Sequence, residues 1–266
     1  ELAENQTSLL STARFDQNFN SQPNYIAKIG QPMGMIYGYI YEGTYKYDDF
    51  DKSGSSYTLK GNIPHYVSES NTQPGMPKYK DLNGDGVIDT NDRTMIGRGL
   101  PIHTGGFTNN FEYKGFDLSV FFQWSYGNDV LNANRLFFDS GFQKKRELNQ
   151  YASYTDRWTP ENPNSNIPAA TNSSSNLVIS SRVVEDASFL RLKTVTLGYT
   201  VPKTFLKKYK IDNARLYVAA QNLWTITGYS GYDPEVSIRS GGLTPGLDFS
   251  SYPRALSVSF GINLGF

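Results

Sequence analysis

Apolar and polar residues alternate with a period of two along several stretches of the chain. The clearest stretch consists of two alternating segments, 104–113 and 116–126, joined by Lys114-Gly115. The apolar side of the second segment is formed by Phe116, Leu118, Val120, Phe122, Trp124 and Tyr126. Because successive side chains of a strand point to opposite faces, the pattern predicts a β-hairpin with one apolar face. Each arm has about 10 residues, the length that crosses a bilayer when a strand is tilted.

The same alternation predicts three further long strands, at 188–200, 213–225 and 253–266. The first of them loses its phase near Arg191 and Lys193, which predicts a β-bulge there. The last keeps apolar residues at every second position, namely at Leu256, Val258, Phe260, Ile262, Leu264 and Phe266. An aromatic-rich segment at 33–47 predicts a shorter strand, and residues 1–30 leave room for another strand and a turn.

The connections between the long strands alternate in length. Lys114-Gly115 and 201–212 are short, whereas 127–187 and 226–252 are long and rich in Asn, Ser, Gly and Pro. Outer-membrane barrels combine short periplasmic turns with long outer loops. The lengths therefore predict an up-and-down meander in which 104–113 descends from the outer face and each following strand reverses direction.

Composition excludes several other classes of protein. The chain has 266 residues with 25 Lys+Arg and 25 Asp+Glu, so its formal charge is zero, which argues against nucleic acid as a partner. Cysteine is absent, which excludes disulfide scaffolds, Cys-based zinc sites and thiol catalysis. The chain has only two histidines, which argues against a His-rich metal site. Aromatic residues make up 14%, yet mean hydropathy is −0.49, as expected of a β-rich chain. No carboxylate pair or phosphate-binding loop stands out, so we expect no enzyme.

Residues 81–92 have the spacing of an EF-hand-type calcium loop. Such a loop takes oxygen ligands from positions 1, 3, 5, 9 and 12 and a backbone carbonyl from position 7. Gly86 occupies position 6, where the loop needs a sharp turn, and Ile88 occupies the apolar position 8. The candidate ligands are Asp81, Asn83, Asp85, Val87, Asp89 and Asp92.

Two features leave the calcium interpretation open. Asp92 stands at position 12, where Glu is commoner, and its shorter side chain makes bidentate binding less certain. Flanking helices are not obvious either, so a bound ion would act as a structural clip. The alternative is an Asx-rich turn that is stabilised by its own side-chain hydrogen bonds without any metal.

Four segments together resemble one known family. They are the run from Tyr79 to Asp89 with Asp92-Arg93 and Ile96-Gly97, the run from Ala187 to Lys193 with Leu197-Gly198-Tyr199 and Pro202, the run from Gln221 to Thr225 with Tyr229 and Gly231 to Glu235, and the end from Tyr252-Pro253-Arg254 to Phe266. This order of motifs, which spans 30–266, resembles the SusC/RagA family of TonB-linked outer-membrane proteins of Bacteroidota.

The resemblance implies an all-β fold, an antiparallel up-and-down transmembrane barrel. Family members are 22-stranded barrels filled by an N-terminal plug, import glycans, peptides or other large nutrients with energy from TonB, and are capped by a SusD-like surface lipoprotein. Residues 1–266 are then expected to be the C-terminal part of such a barrel in the outer membrane, with 79–97 as a calcium-type extracellular loop. The plug, TonB box and remaining strands are expected outside this chain, and its other partners are the rest of the barrel and lipid.

A different class of protein also fits the residues alone. The chain has the features of a secreted, calcium-clipped β-rich module that binds carbohydrate or protein. The long connections contain aromatic residues that either contact a ligand or partner, or form small loop cores and interfacial girdles. These residues are Phe137, Phe138, Phe142, Tyr151, Tyr154, Trp158, Tyr229, Tyr232, Phe249 and Tyr252.

Overall fold

The structure is a computed structural model that describes residues 8–11, 24–139, 149–171, 177–238 and 241–266. The described residues form sixteen strands, in chain order β1 (Ser8–Ser11), β2 (Tyr25–Lys28), β3 (Met35–Gly38), β4 (Tyr41–Thr44), β5 (Phe50–Ser53), β6 (Ser56–Leu59), β7 (Pro77–Tyr79), β8 (Thr94–Arg98), β9 (His103–Tyr113), β10 (Phe116–Tyr126), β11 (Asp129–Asn132), β12 (Val184–Asp186), β13 (Phe189–Thr200), β14 (Asn213–Thr227), β15 (Leu247–Asp248) and β16 (Ser257–Gly265).

The helices are short. The two α-helical segments are α1 (Asn134–Phe138) and α2 (Lys203–Leu206). Single turns of 3-10 helix lie at Tyr47–Asp49, Glu69–Asn71, Thr90–Asp92, Ala152–Asp156, Ser181–Val183 and Lys207–Tyr209. Within the described ranges, none of the helices has the length and apolar character needed to cross a membrane.

The chain divides into two compact units, a division that the sequence pattern did not predict. One, here called the sheet unit, comprises Pro101–Asn128, Asp186–Glu235 and Tyr252–Phe266. The other, here called the core unit, comprises Glu1–Leu100, Asp129–Glu185 and Val236–Ser251. The two long connections predicted at 127–187 and 226–252 therefore contribute most of their residues to the core unit.

The sheet unit is built on one five-stranded antiparallel sheet with the strand order β16-β14-β13-β10-β9. Each strand is hydrogen-bonded to the next long strand along the chain, so the predicted meander and the all-β fold are confirmed. Strand β10 has the predicted bounds, whereas β16 is shorter than predicted because it begins at Ser257. The described strands form an open sheet and do not close a barrel, so the predicted number of 22 strands stays untested.

The irregular features of this sheet lie where the sequence predicts them. Lys114 and Gly115 both have positive φ, 48° and 87°, which is the backbone of a tight two-residue hairpin turn. The register between β13 and β14 shifts between Leu192 and Thr194, so the predicted bulge at Lys193 is confirmed. Opposite this bulge, Asn222 has a φ of 53°, a left-handed conformation that Asn tolerates better than most residues.

The core unit consists of short strands around buried apolar side chains. Its sheets have the orders β1-β2-β3-β8, β12-β11-β15, β4-β7 and β5-β6. The largest cluster draws on all three chain segments of the unit and includes Tyr25, Ile36, Leu131, Leu136, Val183 and Leu247, all of which are 1% exposed or less. Smaller clusters centre on Tyr39 with Tyr79 and Ile88, and on Tyr45 with Phe50 and Leu59.

The strand predicted at 33–47 is interrupted in the structure. Strands β3 and β4 belong to different sheets because the backbone between them pairs elsewhere. The amide of Tyr39 donates to the carbonyl of Ile179, and the amide of Ser181 donates to the carbonyl of Tyr39. The strand predicted within residues 1–30 appears as β1 and β2, and the other parts of that prediction, 1–7 and 12–23, lie outside the described residues.

Candidate functional site

One face of the five-stranded sheet is apolar across all five strands. The strand register places Phe111, Leu118, Leu197, Val218 and Phe260 side by side in a single row. Several of these side chains are exposed, with Phe111 at 59% and Phe260 at 83%. A contiguous exposed apolar surface of this kind marks contact with lipid or with another protein. The same face also carries Tyr113, Phe107, Phe116, Val120, Phe122, Trp124, Leu190, Leu192, Val195, Leu216, Trp224, Ile226, Val258, Ile262 and Leu264.

The opposite face of the sheet is polar. Ser119, Thr196, Ala219 and Ser259 form one of its rows. The two faces therefore differ in the way that the alternating sequence predicts, and the last predicted strand follows this rule along β16.

An ion pair on the polar face explains a glycine in one of the family-like motifs. The Nε atom of Arg215 donates to Oδ1 of Asp117 at 2.9 Å, and a second, shorter bond joins the guanidinium to Oδ2. Gly198 lies on the strand between the two residues. A Cβ at Gly198 would collide with both side chains, so glycine leaves the space in which they meet. The sequence pattern alone did not predict this pair.

Two other family-like motifs, far apart in sequence, meet in a buried ionic cluster. The guanidinium of Arg191 is 2.6 Å from Oδ1 of Asp233 and 3.0 Å from Oε2 of Glu235. Its Nε atom donates to the hydroxyl of Thr225 at 3.0 Å, and its Cζ atom lies 5.2 Å from the centre of the Phe189 ring. The Arg191 side chain is only 3% exposed. The sequence pattern shows Arg191 as a break in the alternation and as part of a family-like motif, but neither feature predicts that it pairs with Asp233 and Glu235.

The cluster favours the charged form of Asp233. Burial opposes ionisation of Asp233, but hydrogen bonds from the amide of Glu235, from Arg191 and from the amide of Arg254 outweigh it, so the pKa of Asp233 is lowered. Glu235 also forms ion pairs with Arg254 at 3.0 Å and with Lys193 at 3.5 Å. These contacts fix the backbone on either side of Asp233 against the sheet.

The aromatic residues of the long connections divide into buried and exposed groups. Phe137, Trp158 and Tyr229 are buried, and Phe138 and Phe249 pack against the largest core cluster. Most of these rings therefore form loop cores, as one of the two sequence interpretations predicts. The exposed ones are Tyr232 at 84% and Tyr252 at 95%, Tyr151 and Tyr154 are partly exposed, and Phe142 lies outside the described residues.

The loop predicted to bind calcium is closed by its own side chains. The carboxylate of Asp81 accepts from the amides of Gly84 at 2.6 Å and Gly86 at 2.9 Å. These hydrogen bonds, that from Gly86 first, lower the pKa of Asp81. Asn83 accepts from the amide of Asp85 and donates its own amide to that carboxylate at 2.8 Å. The hydrogen bonds match the metal-free turn that the sequence left open as an alternative.

The end of the loop is fixed by a buried carboxylate. Asp92 is 0% exposed, and its two oxygens accept from the amides of Leu82 at 2.7 Å and Asp89 at 2.8 Å. Ile88 is 2% exposed, and its amide donates to the carbonyl of His65, which joins the loop to a neighbouring segment. These hydrogen bonds tie the end of the loop to its start and to the segment at His65.

The residues of the loop nevertheless fit calcium in chemical type. Carboxylate, amide and carbonyl oxygens are the ligands that calcium prefers, and a carboxylate that accepts one hydrogen bond per oxygen retains lone pairs for a cation. Asp85 and Asp89 each have exposed oxygens of this kind. Within the described ranges, however, no three acidic or histidine side chains are arranged as a metal-binding group. Calcium binding by this loop stays a prediction.

Comparison with known proteins agrees with the architecture of the sheet unit. The chain is 36% identical over 254 residues to the TonB-dependent receptor P3 of Formosa agariphila, an alignment that covers 94% of this chain and 24% of that receptor. It is 28% identical over 201 residues to the TonB-dependent receptor SusC of Bacteroides thetaiotaomicron, covering 75% of this chain and 18% of SusC. The solved structure of the RagAB peptide transporter matches with a TM-score of 0.65 and 27% identity, covering 91% of this chain and 24% of that one.

The chain belongs to the SusC/RagA family of TonB-dependent receptors. No family model matches its sequence. This SusC/RagA segment spans about a quarter of the length of the curated relatives it matches, at 24% and 23%. Those relatives are receptors and a transporter rather than enzymes. Arg191 and its partners Asp233 and Glu235 are therefore best explained as structural groups rather than catalytic ones.

Proposed function

We propose that this segment is the C-terminal part of the barrel of a TonB-dependent outer-membrane importer of glycans, oligopeptides or similar large nutrients. The observation that carries the proposal is the apolar face of the five-stranded sheet, on which large side chains such as Phe260 and Ile262 remain 83% and 64% exposed. Water disfavours such a face, whereas bilayer hydrocarbon does not. The polar face with the Arg215–Asp117 pair is suited to the barrel interior.

The proposed orientation follows from the lengths of the connections. Lys114-Gly115 and 201–212 face the periplasm, and the long segments 129–185 and 236–251 start and finish at the outer ends of the strands. The plug, the TonB-binding segment and the other strands belong to parts of the receptor outside this chain. A SusD-like lipoprotein covers the outer mouth, and exposed side chains such as Tyr232 and Tyr252 are candidates for contact with it or with the nutrient.

Charge on the apolar face tests the membrane assignment. Val258 lies in register with Ala220, Val195 and Val120, near the middle of β10. We expect Val258→Arg in the full-length receptor to reduce the folded protein in the outer membrane, because arginine at the bilayer midplane costs about 2–4 kcal/mol. The measurement is the amount of heat-modifiable folded receptor in the outer-membrane fraction.

The neighbouring position on the other face provides the matched control. Ser259→Arg adds the same charge one residue further along β16, on the polar face, and we expect near-normal assembly. A receptor that stays soluble without detergent and is indifferent to Val258→Arg would instead favour the secreted binding module.

The partner and the cargo need the intact receptor. We expect a SusD-like lipoprotein to copurify with the full-length receptor from its native membrane. RagAB is described as a peptide transporter, so oligopeptides are the first cargo to test, followed by glycans. Growth of a receptor deletion strain on each nutrient as the limiting source would identify the class. Normal growth of that strain on all of them would contradict an importing role.

We also propose that the loop 81–92 binds calcium as a structural clip through Asp81, Asn83, Asp85, Asp89, Asp92 and the carbonyl of Val87. The proposal rests on the ligand spacing and on the exposed oxygens of Asp85 and Asp89. On the proposed orientation the loop is extracellular, where calcium is abundant enough for a weak site.

Calorimetry on the full-length receptor tests the calcium proposal. We expect calcium titration to give a heat of binding that Asp85→Ala abolishes, because that change removes a ligand from the middle of the loop. Asp51→Ala, at an exposed carboxylate on β5, is the matched control and is expected to bind normally. Identical titrations for the parent and Asp85→Ala would leave only the metal-free turn.

A further inference from the structure

The apolar face of the sheet unit contains a groove near the ends of the strands that are joined by short turns. The groove has a volume of about 550 Å³ and is lined by side chains from β10, β13, β14 and β16. Its apolar lining includes Phe116, Leu197, Tyr199, Leu216, Val218 and Phe260. An apolar depression on a surface of this kind has the chemistry required to hold part of a hydrocarbon chain.

The two short connections at the same end of the sheet are rich in lysine. Their exposed lysines are Lys114, Lys203, Lys207, Lys208 and Lys210. The amide of Thr200, the last residue of β13, donates to the carbonyl of Gly115 at 2.7 Å, so the start of 201–212 lies next to the Lys114-Gly115 turn. In the described part of the chain none of these lysines forms an ion pair, and the segment 201–212 contains a single carboxylate, Asp212.

The segment 201–212 also presents exposed aromatic rings. Leu206 is 7% exposed, whereas Phe205 and Tyr209 are 70% and 68% exposed. The amide of Val201 donates to the carbonyl of Ala214, which ties the segment to the start of β14. Exposed aromatic rings among lysines are typical of a surface at the boundary between lipid head groups and hydrocarbon.

We propose that the groove and the lysines form one binding site for an anionic glycerophospholipid. An acyl chain lies along the groove, and the phosphate group lies among the lysines of the turns. Positive charge next to an apolar surface favours anionic over zwitterionic lipid. The inference rests on the proposed function, because it requires the apolar face to be in a membrane with the short turns at the periplasmic leaflet.

A second groove, at the other end of the sheet, differs from the first in its charge. It has a volume of about 520 Å³, and its lining includes Trp124, Tyr126 and Ile226 together with His103 and Asp186. The carboxylate of Asp186 in its lining repels a phosphate group, whereas the lining of the first groove contains no charged side chain. Of these two grooves, the one at the turn end combines an apolar lining with nearby lysines that form no ion pair in the described residues.

Native mass spectrometry of the full-length receptor in detergent tests the site. Palmitoyl-oleoyl phosphatidylglycerol, the phosphatidylcholine with the same acyl chains, and purified lipid A are each titrated into the protein. We expect phosphatidylglycerol to bind about tenfold more tightly than phosphatidylcholine, because lysines near an anionic head group contribute additively. Equal binding of the two phospholipids would overturn the proposal, and so would preferential binding of lipid A.

Two pairs of variants locate the binding. The first pair compares the triple change Lys203→Glu, Lys207→Glu and Lys208→Glu with the same change at three exposed lysines of the core unit, Lys28, Lys52 and Lys80. The second pair compares Val218→Trp, which fills the groove, with Val120→Trp on the same face outside its lining. We expect the first member of each pair to lose the preference for phosphatidylglycerol and the second member to keep it. An equal loss within either pair would overturn the site.

The same samples separate this inference from the proposed function. Outer-membrane assembly and nutrient uptake are measured for every variant. Normal assembly and uptake with no lipid preference in the parent protein would overturn the lipid site alone. Failure of the parent protein to enter the outer membrane would overturn both.

Discussion

The sheet unit and the core unit differ in the exposure of their large apolar side chains. On β16 of the sheet unit, Phe260 is 83% exposed, whereas Tyr25, Ile36 and Leu247 of the core unit are 0% exposed. The core unit is thus held together as a water-soluble domain is, by packing around a dry interior. The strands of the sheet unit are held by backbone hydrogen bonds and cross-strand contacts, and many side chains of their apolar face stay exposed.

The two units also differ in the polar side chains that they hold away from water. On the strands of the sheet unit, Arg215 and Arg191 lie on the polar face, where they pair with Asp117 and Asp233. The core unit buries tyrosines as well as the carboxylates of Asp92 and Asp139, and burial raises the pKa of Tyr39 to about 12. A sheet with an apolar outer face has only its polar face on which to place interactions that fix its loops.

The largest effect is expected from breaking the buried ionic cluster of the sheet unit. Arg191→Ala leaves Asp233, which is 5% exposed, without its main counter-charge. Removing one partner of a buried ion pair costs about 3–5 kcal/mol. We expect a lower temperature for the loss of the compact electrophoretic form of the full-length receptor.

The more exposed ion pair serves as the control for that variant. Arg215→Ala removes a pair whose side chains are 30% and 32% exposed, so solvent already screens it. We expect a clearly smaller decrease in the unfolding temperature. Equal decreases for the two variants would contradict the distinction between a buried cluster and a screened pair.

A substitution that creates a cavity in the core unit is expected to cause the next largest loss of stability. Leu131 is 0% exposed, and its amide donates to the carbonyl of Gly246 at 2.8 Å. Leu131→Ala should cost about 2–5 kcal/mol because it leaves a void in a packed interior. Hydrogen exchange of the amides in β11 and β15 measures the loss of protection in the full-length receptor.

A leucine-to-alanine change on the exposed apolar face of the sheet is the control for Leu131→Ala. Leu264→Ala changes a side chain that is 51% exposed and opens no internal void. We expect protection of the core unit to be unaffected and assembly to be nearly normal. If Leu264→Ala were as damaging as Leu131→Ala, the two units would not differ in the way described.

The smallest effect is expected at the bulge of the sheet unit. Asn222 has a φ of 53°, a conformation that costs a residue with a Cβ about 1–2 kcal/mol and glycine almost nothing. Asn222→Ala and Asn222→Gly both remove the hydrogen bond from Nδ2 to the carbonyl of Ala255. The alanine variant should therefore be less stable than the glycine variant in the heating assay, and equal stability would show that the backbone is not strained there.

The sheet unit was largely predictable because its pattern is local. Alternation fixed the bounds of β10, the turn at Lys114-Gly115 and the bulge near Lys193, since each depends on neighbours in sequence and on the contrast between two faces. The start of β16 was placed too early because apolar character at Leu256 does not require a paired backbone.

The core unit was less predictable because its contacts join distant segments. The strand predicted at 33–47 is divided because Tyr39 pairs with Ser180. The pattern of residues 33–47 cannot predict a partner that lies so far along the chain. The loop at 81–92 shows the opposite case, because its hydrogen bonds lie within a few residues and one of the two sequence interpretations described them. The partners of Arg191 lie 42 and 44 positions away, beyond the reach of any periodicity.

The outer strands of the five-stranded sheet have a consequence for handling this segment. Strands β9 and β16 end the strand order, and in the described residues neither has a further strand on its outer side. Backbone groups along such rims recruit strands from other molecules. On their own, residues 1–266 should form concentration-dependent aggregates by rim-to-rim pairing, and dispersing them should require both a detergent and added strands that occupy the rims.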